Sequence, residues 1–208
     1  MRRLIQRACS ETDGGVLVET TVMMTILFVF ILGSVDFLMA MYQWNAATKA
    51  VEIGARIAAV SDPVSSDVSS ITGLGSGLNP GDPMPAFTRT CNGATSTCTG
   101  GTFSQAALNT IVYGRGSAAC GDSTSVYTTG MCDIFSRILP ANVVITYTQS
   151  GLGYVARPGG PVPTITVSVQ NLPFQFYFLG GFMGMANTQI PGLTTSITGE
   201  DLSSSAPP

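Results

Sequence analysis

The most prominent pattern in the chain is a long apolar run near its N-terminus. Residues 16–42 are overwhelmingly apolar, and no charged side chain lies between Thr20 and Val35. Such a run is long enough to cross a bilayer. Tyr42 and Trp44 follow at its far end, where amphipathic rings favour the membrane interface. A secretory signal peptide is the main alternative, but its apolar region is shorter and an Ala-x-Ala-like cleavage site follows it closely. The pattern therefore predicts a transmembrane helix over 16–42.

Helical composition continues beyond the apolar run, because residues 44–60 are rich in alanine and the first proline is Pro63. A helix over 15–60 would be roughly 65–70 Å long, about twice the bilayer core, so its second half would stand outside the membrane. That half carries a stripe of small apolar residues at helical spacing. The stripe consists of Val51, Ala55, Ala58 and Ala59. It either packs into the core of the following domain or contacts a helix of another subunit.

Alternating patterns predict strands late in the chain, at residues 142–149 and 163–170 and more weakly at 193–200. In the second of these, Ile165, Val167 and Val169 would face a core while the intervening Thr and Ser residues face away. A glycine-rich connection separates the first two strands and favours an antiparallel pair. The expected fold class is α+β, with the long N-terminal helix extending into a small pilin-like antiparallel sheet domain over 61–202.

Shorter elements are expected around these strands. Residues 104–113 predict a helix capped by Ser104, and 132–139 predict another helix stopped by Pro140. Residues 61–90 have loop composition, rich in Ser, Gly, Pro and Asp.

Two further segments have compositions of their own. The apolar and aromatic segment 171–185 is either a buried loop or short helix, or an exposed patch for a partner or a membrane surface. The last residues, 203–208, predict a flexible tail.

The distribution of charge and cysteine separates the two ends of the chain. Arg2, Arg3 and Arg7 precede the apolar run, which predicts a cytoplasmic leader over 1–14 and an extracytoplasmic domain. Cys9 lies before the run, and the other four cysteines follow it. These four are Cys91, Cys98, Cys120 and Cys132. They predict two disulfides in an oxidising compartment, four free thiols being the alternative. Four cysteines allow three connectivities, of which we prefer the sequence-local pairs Cys91–Cys98 and Cys120–Cys132.

Composition argues against several classes of function. The chain has no histidine and only 10% charged residues, so the commonest general base and zinc ligand are missing. The sequence has no basic patch of the kind that would indicate nucleic-acid binding. It also has no Gly-x-Ser-x-Gly or paired-carboxylate motif that would indicate an enzyme, and no Cys-x-x-Cys that would indicate a metal site. We expect a non-enzymatic protein without cofactor or metal.

The motif that carries functional information is Gly14-Gly15-Val16-Leu17-Val18-Glu19, which opens the apolar run. A small residue at Gly14 lets an extended backbone enter a protease cleft closely. The motif resembles that of type IV prepilins, and more closely the TadE-like minor pilins or pseudopilins of tight-adherence (Tad/Flp) systems. The resemblance covers residues 7–60 and includes Asn45-Ala46-Ala47 and the run 52–56. It departs at Thr20, where family members commonly carry an aromatic residue.

The resemblance implies that a prepilin peptidase cleaves between Gly14 and Gly15. It further implies partners among other Tad/Flp pilins and minor pilins and the inner-membrane assembly platform. Glu19, fifth in the mature chain, would then pair with the free amine of a neighbouring subunit. Otherwise it is a tolerated interfacial residue.

Asp36 is a second ionisable residue within the apolar run, where burial of charge is costly. It either pairs with an amine or hydroxyl of another helix or marks the outer membrane edge.

The alternative to a pilin is a membrane-anchored extracytoplasmic binding domain that keeps its leader.

Overall fold

The computed structural model describes residues 12–75, 77–178, 180 and 189–204. Residues 1–11, with Cys9, lie outside this range. The fold class is confirmed as α+β: one long apolar helix is followed by a five-stranded antiparallel sheet. The chain divides into two compact units. The helix unit contains Met1–Tyr42 and Phe174–Thr188, and the sheet unit contains Gln43–Pro173 and Gln189–Pro208.

Helix α1 runs without interruption over Thr12–Ala59, 48 residues. It includes residues 12–14, which we had assigned to the leader, and it ends one residue before the predicted position. Its end is satisfied by the C-terminal part of the chain, because the Ala59 carbonyl accepts hydrogen bonds from the backbone N–H groups of Glu200 (3.0 Å) and Asp201 (3.2 Å). These bonds occupy a carbonyl that a helix end otherwise leaves unpaired. Arg56 in the last turn adds a favourable interaction with the helix dipole.

The alanine-rich half of α1 is the part of the helix that enters a core. Val51, Ala55, Ala58 and Ala59 are all buried, which confirms the core alternative for this stripe. Ala47, Ala50 and Gly54 extend the same face. A side chain at Gly54 would overlap the thioether of the buried Met131, so the small residue permits this close approach.

The main sheet has five antiparallel strands, and three of them were predicted. Their bounds are β1 Thr88–Asn92, β2 Thr97–Cys98, β3 Val143–Thr148, β4 Thr164–Val169 and β7 Leu193–Thr198, in the order β2-β1-β3-β4-β7. A separate short ladder pairs β5 Leu172–Pro173 with β6 Gln189–Ile190. Strands β1 and β2 were not predicted, because only Cys91 of β1 is buried and the strand lacks apolar alternation.

Strands β3 and β4 alternate as expected between a buried and a partly exposed face. Ile165, Val167 and Val169 are buried, opposite the buried residues of β3. Among the latter, Tyr147 accepts a hydrogen bond from the Val64 N–H at 2.9 Å through its buried hydroxyl. Burial raises the pKa of the Tyr147 phenol well above its ordinary value. The tyrosine thus links the sheet to the loop that follows α1.

The two short helices differ in how well the sequence predicted them. Helix α2 spans Gln105–Tyr113 with Ser104 as its N-cap, as predicted; the Ser104 hydroxyl accepts from the Ala107 N–H. The predicted helix over 132–139 is wrong in length, since α3 covers only Met131–Ile134.

Phe135 leaves the helical conformation after α3, and a turn follows in which the Ile138 N–H bonds to the Phe135 carbonyl. Both side chains are buried. Burial of Phe135 and Ile138 stabilises the chain more than a second helical turn would, because such a short helix gains little from cooperativity. Single 3₁₀ turns occupy Val68–Ser70 and Pro140–Asn142.

Both preferred disulfides are present, and each closes a short loop of the sheet unit. Cys91 and Cys98 are directly opposite one another on β1 and β2. Cys120 pairs with Cys132 across a sequence separation of 12. This confirms the sequence-local connectivity.

Asp133, the residue after Cys132, braces the second disulfide loop from outside it. Its two carboxylate oxygens accept hydrogen bonds from the Gly121 N–H (2.7 Å) and the Gly130 N–H (2.8 Å). Burial alone would raise the pKa of Asp133, but these hydrogen bonds, together with one from Ser123, lower it below its ordinary value.

The start of the predicted flexible tail is held in place. The Asp62 N–H donates to the Ser204 hydroxyl and the Ser204 N–H donates to the Asp62 carboxylate, both at 2.9 Å. This reciprocal pair satisfies polar groups of Ser204, and the flexible tail stays a prediction. Residues 205–208 lie outside the described residues.

We expect Gly114→Ala to destabilise the protein by about 3 kcal/mol or more, and Gly116→Ala by only about 1 kcal/mol. Both glycines have positive φ, but only at Gly114 would a Cβ overlap the Thr128 carbonyl, whereas nothing lies within 4 Å at Gly116. Denaturant unfolding of the full oxidised chain in detergent micelles measures both values. Equal losses would show that the Thr128 contact contributes nothing.

We expect Asp133→Asn to lower the unfolding free energy at neutral pH by about 1–2 kcal/mol, since hydrogen bonds to a carboxylate are stronger than those to an amide. Because the folded pKa is lowered, the stabilisation is full above the ordinary value of 3.8 and is lost as the pH falls below it. The difference between wild type and variant, measured in micelles, should therefore be constant above pH 3.8 and shrink as the pH falls below it. The exposed Asp201→Asn is the control, and a pH-independent difference would contradict the assignment.

Candidate functional site

The first half of α1 exposes apolar side chains around its whole circumference. Large residues from Val16 to Ile31 are about half exposed or more, and the most apolar window has a mean hydropathy of 2.3 with only 6% of it buried. A helix that is hydrophobic all round requires an apolar environment on every side. By length and composition, α1 is the one helix in the described part of the chain that qualifies as a membrane span.

Four hydroxyl groups of this half are paired within the helix itself. Thr20, Thr25 and Ser34 each donate to the carbonyl four residues earlier, at 2.8–2.9 Å. Thr21 donates to the Val18 carbonyl at 2.8 Å. An unpaired hydroxyl in hydrocarbon would be costly, so these bonds make the polar residues compatible with a lipid environment.

Gly14 and Gly15 lie in the first described turn of α1 and are open to solvent. Nothing stands within 4 Å of a Cβ built on either residue. Both are helical, whereas a backbone that enters a protease cleft is extended. Each glycine weakens a helix by about 1 kcal/mol relative to alanine, so the two adjacent glycines weaken the helix at the predicted cleavage site.

Glu19 is exposed on α1, four residues after Gly15 and therefore on the same face of the helix. Within residues 12–75, 77–178, 180 and 189–204, no hydrogen bond or ion pair to its carboxylate is present. The carboxylate is therefore available to a group from outside this part of the chain. Its role in assembly stays a prediction.

Asp36 is buried, and its carboxylate accepts hydrogen bonds from the backbone of a distant segment of the same unit. The Tyr177 N–H donates to Oδ1 at 2.9 Å, and the Phe178 N–H reaches Oδ1 at 3.3 Å and Oδ2 at 3.0 Å. One of our two alternatives for Asp36 was an amine or hydroxyl on another helix, but the structure supplies backbone amides of the same chain. Such charge-assisted bonds offset part of the cost of burying a carboxylate.

The helix face around Asp36 differs from the rest of the apolar half. The residues one turn away on either side, among them Gly33, Met39 and Ala40, are partly buried, whereas Phe37 and Leu38 beside them are strongly exposed. The chain thus covers one narrow face of the helix at this level and leaves the other faces open.

The segment that binds Asp36 exposes aromatic rings. Tyr177 is 57% exposed and Phe178 is 47% exposed, so the buried alternative is wrong for these two residues. Phe174 and Phe176 lie in a tilted ring contact with centroids 6.0 Å apart. Residues 179 and 181–188 of the predicted apolar segment lie outside the described residues. Sequence reasoning identified the patch but could not predict its contact with Asp36, 141 positions away.

The chemistry of these groups is that of binding and packing. Among the described residues, no group of three or more His, Cys, Asp or Glu side chains is placed to hold a metal ion. The distinctive features are instead the open Gly14 and Gly15, the exposed Glu19 carboxylate and the aromatic segment that is hydrogen-bonded to Asp36.

Comparison with known protein families finds a match that lies within the long helix. The sequence model of the TadE-like protein family matches residues 14–56, which confirms the resemblance inferred from the residues around Gly14 and Glu19. The match includes the exposed half of α1 and most of the half that enters the sheet unit. No match to this chain was found among the curated proteins, and none was found among the solved structures.

We expect Asp36→Leu to speed hydrogen exchange at the Tyr177 and Phe178 amides about 10- to 100-fold, because hydrogen bonds to a charged acceptor contribute about 1.5–3 kcal/mol. Exchange measured by NMR on the full chain in micelles tests this. Ser34→Ala is the matched control, since the Ser34 hydroxyl donates to the Phe30 carbonyl of the same helix. Unchanged exchange in Asp36→Leu would show that the carboxylate does not hold the segment.

Proposed function

We propose that this chain, TadE-like over residues 14–56, is a minor pilin or pseudopilin that enters or primes a Tad-type pilus used for surface attachment. The observation that carries the proposal is the division of one helix into two halves. The half up to Tyr42 exposes large apolar side chains, and the half beyond it is buried in a disulfide-bonded sheet unit. A subunit that moves from a bilayer into a fibre needs such an apolar half.

Burial against other helices can replace burial in lipid at little cost. Lipid tails and leucine-like side chains are equally apolar, so helix association in either setting depends on packing rather than on exclusion of water. The exposed half of α1 presents Val, Leu, Ile, Met and Phe on all sides. It suits a bilayer before assembly and the centre of a helical fibre afterwards.

The junction at Gly14 and Gly15 supports removal of the leader by a prepilin peptidase. The two glycines are open and adjacent, and they lower the cost of unwinding the first turn into the extended form that a protease binds. Cleavage between them breaks one peptide bond with water and leaves a free amine on Gly15. The chain is the substrate in this step, and we propose no enzymatic activity of its own.

The new amine completes the proposed role of Glu19. The carboxylate is exposed and has no partner among the described residues. In a fibre, the amine of a neighbouring subunit would neutralise it in an apolar setting, where an unpaired charge is costly. Leader removal would thereby permit assembly, because the partner of Glu19 does not exist before cleavage.

The same elements support a proposal for the placement of the chain in the cell. The basic residues of the leader favour a cytoplasmic N-terminus, and the two disulfides favour an oxidising compartment for the sheet unit. We propose an inner-membrane protein whose sheet unit is periplasmic and which contacts the assembly platform and other Tad/Flp pilins.

We expect the mature protein from cells that contain the peptidase to begin at Gly15, as read by mass spectrometry of its N-terminus. Gly14→Val should leave the leader in place, because a β-branched side chain obstructs the close approach of the backbone. Gly15→Ala is the matched control and should still be cleaved. Glu19→Gln should be cleaved normally yet fall at least tenfold in sheared fibres.

An intact leader on the wild-type chain, in the presence of active peptidase, would contradict the proposal and favour an unprocessed membrane-anchored binding domain. Normal incorporation of Glu19→Gln into fibres would remove the pairing from the mechanism while leaving the processing step in place.

A further inference from the structure

The segment Phe174–Phe178, which we call the aromatic segment, is held against the membrane helix by its backbone. Asp36 accepts hydrogen bonds from the N–H groups of Tyr177 and Phe178. These bonds fix the segment beside Asp36, while the rings of both residues stay exposed. A soluble loop rarely presents neighbouring exposed aromatic rings without a partner that covers them.

The position of Asp36 along the helix sets the depth of this segment in a bilayer. The helix advances about 1.5 Å per residue, so Gly15 and Asp36 are separated by roughly 32 Å. The hydrocarbon core is about 30 Å thick. With Gly15, the residue before the apolar run, at the inner boundary, Asp36 lies at the outer boundary of the hydrocarbon, and the aromatic segment lies at that level too.

The composition of the surrounding sequence agrees with this depth. No Asp, Glu, Lys or Arg occurs between Arg157 and Glu200, so no charged side chain of this stretch of the sequence would need to leave water. Aromatic rings, and tyrosine in particular, favour the interface between headgroups and hydrocarbon.

The hydrogen bonds with Asp36 satisfy polar groups of both the segment and the helix. Irregular backbone near hydrocarbon is tolerated only where its N–H groups have partners. Here the carboxylate supplies the acceptors, and the two N–H groups in turn compensate the buried carboxylate.

We infer that the aromatic segment is a second membrane contact of this chain, in which Tyr177 and Phe178 insert into the outer interface of the bilayer at the level that Asp36 sets. The occupant of this surface is lipid, because the segment is bonded to Asp36, and the next two residues of the helix, Phe37 and Leu38, expose their apolar side chains. The inference does not depend on leader removal, since residues 1–14 take no part in it.

Quenching of a single tryptophan by brominated lipids tests the inference. Trp44 is the one tryptophan of the chain, so Trp44→Phe with Tyr177→Trp places a lone probe on the segment. The full chain is reconstituted into phosphatidylcholine vesicles brominated either at carbons 6 and 7 or at carbons 11 and 12. The matched helix probe is Trp44→Phe with Phe28→Trp, at the middle of the exposed half of α1.

We expect at least twofold quenching of the segment probe by the shallow bromines, with weaker quenching by the deep ones, and the reverse order for the helix probe. Asp36→Leu in the same background should weaken the shallow quenching, because the segment loses its attachment. Unbrominated vesicles give the reference intensity, and N-acetyltryptophanamide in the same suspension gives the quenching of a probe in water.

Quenching of the segment probe no stronger than that of N-acetyltryptophanamide would overturn the inference. A blue-shifted but unquenched probe would also overturn it, because protein, such as a second copy of the chain, would then cover the segment. Shallow quenching that is unchanged by Asp36→Leu would overturn the role of Asp36 in setting the depth.

Discussion

The structure depends on one constraint: the apolar surface of the first half of α1 is not covered by the described part of the chain. Burying a single large apolar side chain is worth about 1.5–3 kcal/mol, and more than ten such residues between Val16 and Met41 are exposed. Their combined cost in water exceeds the roughly 5–15 kcal/mol by which a domain is stable. Lipid or other helices must therefore surround this half. The internally bonded hydroxyls and the amide-bound Asp36 are adaptations to that environment.

Both halves of α1 carry apolar surface that must be covered, but they differ in the size of their side chains. Up to Tyr42 the helix carries large apolar residues, which suit contact with mobile lipid tails. Beyond Gln43 the buried positions are mostly alanine, and Gly54 allows Met131 to approach the helix backbone. Small residues let neighbouring segments approach a helix closely. The rest of the sheet unit therefore packs close to the helix backbone, with few bulky helix side chains between them. A continuous helix thus changes its surroundings without changing its conformation.

How far the sequence predicts this structure depends on the distance over which each interaction acts. The apolar run, the alternation in β3 and β4, the Ser104 cap and the nearby cysteine pairs are local signals, and the structure confirms them. Strand β1 escaped prediction because its partner strand β3, more than fifty residues later, defines it. Likewise the candidate site was predicted at Gly14, Gly15, Glu19 and Asp36, but the amides that bind Asp36 come from a segment 141 positions away. Periodicity carries no information about such a contact.

The capping of α1 by Glu200 and Asp201 has a consequence for biogenesis. The last carbonyl of the helix finds its partners in Glu200 and Asp201, which are synthesised 141 and 142 positions after Ala59 and follow strand β7. Until these residues have been synthesised, the helix end lacks its cap and β4 lacks its partner strand β7. The order of synthesis therefore delays closure of the sheet unit until β7 and the residues after it have been added to the chain.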